Sequence, residues 1–251
     1  MSHLPTILIT GCSSGFGLET ARLFLDKGWR VIATMRTPRA DLLPRSENLR
    51  VLPLDVTDME SIRRCVEAAG PIDALVNNAG IGMLGPLEET TLADIRMVFE
   101  TNAIGTIAMT QAVLPQFRQR RAGVVVNVTS GVTLKTLPLL SVYTGSKAAV
   151  NAFTESLALE LAGFNVRVRL VAPGRAPGTR FRENAHGLAG DALPEDYAEF
   201  MRRVFEAMQE DADTPVTHAQ DVVEAVWLAV TDPAAPMLIP AGADAVALAG
   251  I

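Results

Sequence analysis

Thr6-Ile7-Leu8-Ile9-Thr10-Gly11-Cys12-Ser13-Ser14-Gly15-Phe16-Gly17 opens the chain with a short apolar run that stops at a glycine-rich turn. From Gly15 to Lys27, Leu18, Ala21, Leu23, Phe24 and Leu25 fall at helical positions, and Gly28 stops the pattern. The stretch reads as strand, tight turn, helix. Three glycines allow a sharp turn and close approach of backbone to a pyrophosphate, while the helix start offers free N–H groups and partial positive charge. The spacing is GxxxGxG rather than GxGxxG, and no GK[ST] of a Walker loop follows. An ordinary glycine-rich turn is the simpler alternative.

Downstream the same rhythm repeats. Strand-like runs occupy residues 30–34, 49–54, 72–77, 123–128, 166–171 and 237–239. Helical patterns cover 58–69, 91–120, 141–161 and 221–230, the second bent at Gly105 and ending near Pro115. Short β-branched runs alternating with helices predict one α/β domain over residues 1–251: a Rossmann-type, doubly wound parallel sheet of about seven strands with helices on both faces. Residues 175–215 break the rhythm and read as a substrate loop carrying a lid-like helix. In that helix Phe200, Met201, Val204, Phe205 and Met208 form an apolar stripe after Tyr197. Packing on the core explains the stripe at least as well as a lid does.

The chain has 251 residues, a formal net charge of −6 and 49% hydrophobic residues. This balance argues against a nucleic-acid binder. Cys12 and Cys65 match no metal or disulfide spacing, which points to the cytoplasm, and no metal is expected. There is no apolar run of membrane-spanning length, and His3, His186 and His218 read as surface residues. The sequon at Asn127 falls inside an expected buried strand.

In a sheet of this type ligands bind beyond the carboxyl ends of the strands. After the second strand come Arg36 and Arg39, with no acid before Asp41, so an anionic 2′-phosphate is favoured over a ribose 2′-hydroxyl. After the third come Asp55-Val56, suited to an adenine edge, although Asp55 could equally cap the helix near Asp58. The fourth ends in Asn77-Asn78-Ala79-Gly80. Ser141 opens a helix carrying Tyr143 and Lys147 one turn apart on one face, with Ser130 thirteen residues before the tyrosine. A free phenol is too weak an acid for proton transfer at neutral pH; an ammonium nearby that lowers it by about three units contributes roughly 4 kcal/mol. Met83, Leu84, Leu134 and Leu137 lie just past strand ends and could line a substrate pocket.

Gly11-Cys12-Ser13-Ser14-Gly15 also matches the GxSxG elbow of hydrolases, with His186 or His218 following in order. That reading lacks an HGGG-type oxyanion motif and leaves Gly17 unexplained.

Thr10-Gly11-x-x-x-Gly15-x-Gly17, Asp55-Val56, Asn77-Asn78-Ala79-Gly80, Asn102, Ser130, Tyr143-x-x-x-Lys147 and Pro173-Gly174 occur together and in order. This set resembles the short-chain dehydrogenase/reductase family over residues 5–180, most closely its 17β-hydroxysteroid dehydrogenase-like branch. The resemblance implies a nicotinamide-dependent carbonyl–alcohol oxidoreductase, for which Arg36 points to NADP(H). It makes Tyr143 the acid/base, Lys147 its partner and a ribose ligand, Ser130 the hydroxyl on the substrate oxygen, and Asn102 the support of a water-mediated relay. Thr10, Gly11, Ser13, Ser14, Gly15, Phe16, Gly17, Arg36, Asp55, Val56, Asn78, Ala79, Gly80, Pro173 and Gly174 would hold the dinucleotide together with Tyr143 and Lys147. Thr179 stands one residue late for the family's nicotinamide contact. The resemblance also implies a homodimer or homotetramer; small residues at Ala103, Gly105, Ala108, Ala148, Ala149 and Ala152 permit close helix contacts. A non-catalytic NADP(H) sensor of the same fold is the rival, though it has no need of the complete Ser130, Asn102, Tyr143 and Lys147 set.

Overall fold

The computed structural model describes residues 4–177, 195–210 and 215–250. His3, Thr179 and His186, and the side chains of Phe205 and Met208, lie outside what is described. Strands β1 (Thr6–Ile9), β2 (Arg30–Met35), β3 (Leu49–Pro53), β4 (Ala74–Asn77), β5 (Gly123–Val128), β6 (Val166–Pro173) and β7 (Leu238–Ala241) pair in parallel throughout, in the order β3-β2-β1-β4-β5-β6-β7. The helices are α1 (Gly15–Asp26), α2 (Met59–Ala69), α3 (Leu92–Phe99), α4 (Gly105–Arg120), α5 (Ser141–Leu161), α6 (Glu195–Glu210), α7 (Ala219–Thr231) and α8 (Ala243–Ala249).

Alternation along β1 divides the core. Ile7 and Ile9 pack with Phe24, Val222 and Val226, placing α1 and α7 on one face. Leu8 packs with Ile62, Met109, Val113, Phe117 and Leu157, placing α2, α4 and α5 on the other. Burial on both faces explains why the strands read as continuous apolar runs. Trp29 packs edge-on and Trp227 at a tilt against Phe24, each with ring centroids 5.1 Å from it, where α1 meets α7. Because the chain winds outward from β1, returns to β4 and winds the other way, a crevice opens at the carboxyl ends of β1 and β4.

The long helical stretch differs from the sequence expectation at two points. A π-helical turn at Glu100–Ile104 interrupts it just before Gly105, and Asn102 lies within that turn. Pro115 does not end the helix, which runs on to Arg120. A proline inside a helix costs about 3 kcal/mol. Val113 and Phe117 flank it and are fully buried; their burial contributes about 1.5–3 kcal/mol each and outweighs that cost.

A buried polar ladder holds α4 and α5 in register with the sheet. Asn77 Nδ2 donates to Thr110 Oγ1 and to Asn127 Oδ1, both at 2.9 Å. Asn127 Nδ2 donates to Thr154 Oγ1 at 2.8 Å. Asn127 is fully buried, as expected for the strand that contains its sequon. Since these amides and hydroxyls are out of water, cutting one bond strands its partner at about 1–3 kcal/mol. The positions of the helix carrying Asn102 and the helix carrying Tyr143 are therefore tied together.

Candidate active site

The crevice floor is laced by Thr10. Its Oγ1 accepts from the N–H groups of Asn78 (3.0 Å) and Ala79 (2.9 Å), while Asn78 Nδ2 donates to the carbonyls of Thr10 (3.0 Å) and Gly11 (3.2 Å). Thr10 and the Asn78 side chain thus join the loops after β1 and β4. Gly11 has φ +75°, and a Cβ there would lie 2.9 Å from the Cα of Ala79. A Cβ on Gly17 would overlap the Gly11 carbonyl and the Asn78 amide. Only glycine fits at either point. Ser14 precedes α1 without a side-chain cap, and the helix has no acid in its first turn. Its first N–H groups are left for an anion, so this cradle fits a dinucleotide pyrophosphate.

Cys12, inside the loop, is fully buried and its Sγ bonds the Ile9 carbonyl at 3.2 Å. Burial pushes its thiol up to about 12, so it is inert. Ser13 is exposed, whereas His218 stands at the start of α7, where its N–H donates to Asp221 at 2.7 Å.

On the β2–β3 side, Arg36 is exposed and lies close enough to help hold the Asp55 carboxyl below its usual range. The larger cause there is Thr57, whose hydroxyl (2.7 Å) and N–H (2.9 Å) both donate to Asp55 Oδ1. Asp58, not Asp55, caps α2, accepting from Glu60 N–H at 2.9 Å. Arg39 pairs with Asp41 at 2.8 Å, leaving Arg36 better placed for an outside anion. Val56 packs where a Gly105 Cβ would lie, at 2.9 Å, so that glycine seats the start of α4 against the loop after β3.

The opposite wall brings four polar residues together. Tyr143, on α5, is 5% exposed and lies close enough to Ser130 for that hydroxyl to favour its phenolate. Lys147, one turn on and 6% exposed, donates from Nζ to the Val128 carbonyl at 3.0 Å. Asn102 clamps Ile81, accepting from its N–H at 2.8 Å and donating to its carbonyl at 2.9 Å. It also donates to Ser146 Oγ at 3.0 Å, which in turn donates to the Tyr143 carbonyl at 2.7 Å. A Cβ on Gly80 would sit 3.1 Å from Asn102 Oδ1 and 3.4 Å from Lys147 Nζ, so the turn after β4 borders both groups. Gly131 likewise abuts Pro173 and Gly174: a Cβ there would lie 3.2 Å from the Pro173 carbonyl oxygen.

The electrostatics correct the sequence expectation for the phenol. Burial pushes Tyr143 up to about 12, with Ser130 pulling it back only in part, and burial lowers Lys147 to about 8. The ammonium is committed to Val128 and lies 5.9 Å from the tyrosine ring centroid. Desolvation of both groups outweighs their mutual effect. At neutral pH the phenol is protonated.

Among the expected lining residues, Met83 packs with Tyr143, and Leu84 packs against Leu139, Met201 and Val204. Leu134 is half-buried and Leu137 exposed, and neither belongs to those clusters. Of the α6 stripe, Met201 and Val204 therefore rest on loops beyond the strand ends, while Phe200 is exposed. Tyr197, at its start, donates to Glu88 Oε2 at 2.9 Å. The small residues divide: Ala103, Gly105 and Ala108 are buried within the chain, whereas Ala148, Ala149 and Ala152 are exposed. Thr217 and Asp244, which no periodicity marks, bind the turn at Gly174 and Arg175.

The profile of the family described as short chain dehydrogenase matches residues 5–186. Retinol dehydrogenase 8 of Bos taurus is 42% identical over 189 residues, covering 69% of this chain and 60% of that protein. The match thus spans less than two thirds of the relative's length. Estradiol 17-beta-dehydrogenase 1 of Rattus norvegicus is 39% identical over 246 residues, covering 92% of this chain and 70% of that protein. A short chain dehydrogenase from Burkholderia cenocepacia, solved in complex with NADP, superposes with a TM-score of 0.78 at 26% identity, covering 99% of this chain and 92% of that one. No helix among the described residues is long and apolar enough to cross a membrane.

Proposed function

The chain belongs to the short-chain dehydrogenase family, and from that premise we propose that it is an NADP(H)-dependent oxidoreductase interconverting an apolar ketone or aldehyde and its alcohol. The observation that carries the reading is the Tyr143–Ser130 hydroxyl pair at the crevice, one helical turn from Lys147. The nicotinamide supplies or accepts the hydride when bound.

Tyr143 holds a proton at its phenol oxygen and gives it to a carbonyl oxygen during reduction; its raised pKa keeps that proton in place at neutral pH. Ser130 offers its hydroxyl to the same oxygen as negative charge develops there. Lys147, with Asn102 in support, is suited to return a proton to Tyr143 through water. The α1 N–H groups and the turn Gly11–Gly17 would hold the phosphates, with Ser13, Ser14, Gly15 and Phe16 lining the turn. Arg36 would meet a 2′-phosphate. Asp55 and Val56 would border adenine; Asn78, Ala79 and Gly80 would border the ribose, and Pro173 and Gly174 the nicotinamide. Met83 beside Tyr143, and the apolar contacts under α6, favour a hydrophobic substrate. Ala148, Ala149 and Ala152 on the exposed side of α5, with Leu159 at 82% exposure, favour a homodimer or homotetramer through that helix.

Tyr143→Phe tests the reading. Followed by nicotinamide absorbance on a carbonyl panel, turnover should fall by about 10² to 10⁴-fold while NADPH binding survives. NADPH should be preferred to NADH. An NADP(H) sensor without chemistry would instead show no turnover in the wild type and unchanged binding in the variant.

A further inference from the structure

The chain leaves β6 at Pro173 and returns to α7 after Thr217, and the two ends of this excursion, which carries α6, meet at one carboxylate. Asp244, in the first turn of α8, accepts the Arg175 N–H on Oδ2 at 2.5 Å and the Thr217 hydroxyl on Oδ1 at 2.7 Å. Thr217 N–H donates to the Arg175 carbonyl at 2.8 Å, and Gly174 N–H donates to Thr217 Oγ1 at 2.9 Å. Thr217 is 2% exposed. Both glycines nearby are dictated by the arrangement: a Cβ on Gly174 would coincide with the Asp244 carboxylate, and one on Gly242 (φ +101°) with the Thr217 hydroxyl.

We propose that Asp244 is a positioning residue that closes the neck of this excursion and holds Pro173-Gly174 at the dinucleotide crevice. The Pro173 carbonyl and Gly174 Cα abut Gly131, the neighbour of Ser130, so a shift at the neck is felt beside the proton-transfer hydroxyls. The part concerning the dinucleotide rests on the reading in the preceding subsection; the neck itself does not.

The side chain needs two hydrogen-bonding positions rather than a charge. An asparagine can reproduce the geometry: its amide oxygen accepts from Arg175, and its NH₂ donates to Thr217 Oγ1, whose own proton turns to the Ala241 carbonyl, already 2.8 Å away. Alanine can do neither. The experiment uses the intact chain and two readouts. Trypsin cleavage after Arg202 and Arg203 on α6 should accelerate about tenfold in Asp244→Ala and by less than about twofold in Asp244→Asn. Asp221→Ala, which removes the α7 cap and lowers thermal stability, should leave that cleavage rate unchanged. In titrations, Asp244→Ala should weaken NADPH about tenfold but leave the fragment 2′,5′-ADP, which lacks the nicotinamide, unchanged. Cleavage of Asp244→Ala at the wild-type rate, equal acceleration by Asp221→Ala, or Asp244→Asn behaving like alanine overturns the neck. Equal weakening of the fragment overturns its link to the nicotinamide end. A wild type that binds no dinucleotide sinks the functional reading and leaves the proteolysis to judge the neck alone.

Discussion

The crevice floor and the roof across from it are held by opposite means. At the floor, Thr10 Oγ1 takes two backbone N–H groups, Asn78 returns two bonds, and two glycines stand where no Cβ fits. At the roof, α6 rests on Leu139 and Leu84 through Met201 and Val204, with the Tyr197–Glu88 bond at its solvent edge. The floor is over-determined, since several bonds must break for any one loop to move. Among the described residues, the roof is held by a few apolar contacts and an exposed bond, the kind of element that opens at low free-energy cost. A dinucleotide site profits from the first arrangement and a substrate entry from the second.

The largest expected effect attacks the floor. In Gly17→Ala the added methyl would overlap the Gly11 carbonyl and lie 2.5 Å from Asn78 Nδ2, so the two loops must separate. Overpacking of this sort costs about 1–3 kcal/mol, and displacing the first turn of α1 should weaken NADPH at least about a hundredfold. Gly163→Ala, where a Cβ meets nothing within 4 Å, serves as the control and should bind normally. Titration of both variants decides the matter. If Gly17→Ala binds like its control, the floor is not the rigid element described.

Much of this contrast is already written in the sequence. The floor is readable there because its constraints are local: glycines at fixed offsets, and a strand whose apolar run stops where the turn begins. The roof is half readable. The stripe at Met201 and Val204 is visible as periodicity, but the surface it meets, Leu139 and Leu84, is distant in the chain. Asp244 and Thr217 leave no trace, since a carboxylate that accepts the Arg175 backbone N–H across 69 residues obeys no period. The direction of the tyrosine pKa escapes the sequence for a related reason. The i, i+4 spacing to Lys147 is correct, but spacing carries no information about burial, which sets the direction for both groups.

An intermediate effect tests whether the well-held side gives up stability for chemistry. Lys147 has its pKa lowered from 10.5 to about 8 by burial. The unfolded chain therefore binds the proton more readily between those values. The cost of burying the cation is fully present below pH 8 and disappears as pH rises towards 10.5. That shift corresponds to about 3 kcal/mol, offset by about 1 kcal/mol for the Val128 carbonyl bond. Lys147→Met should thus be more stable than the parent at pH 7, by about 2 kcal/mol, with the advantage shrinking by pH 10. Tyr143, whose raised pKa makes stability fall between pH 10 and 12, is common to both proteins and cancels. Urea unfolding followed by Trp29 and Trp227 fluorescence, without dinucleotide, measures the difference. A parent more stable than the variant at pH 7 would mean the lysine is held by more than it loses.

The smallest effect falls on the roof's edge. Tyr197 and Glu88 are joined by one bond in a solvent-facing setting, and the carboxylate raises the phenol's pKa. Water replaces such a bond readily, so Tyr197→Phe removes a latch without leaving a buried group unpaired. Cleavage by trypsin after Arg202 and Arg203 should rise by about twofold, and the KM for a carbonyl substrate should move as little, with kcat unchanged. The ring itself stays, which separates the bond from the packing. If this one substitution opened α6 as far as the loss of Asp244 is expected to, the roof would hang from its edge instead of from Met201 and Val204, and the division between a laced floor and a loosely rested roof would have to be redrawn around Glu88.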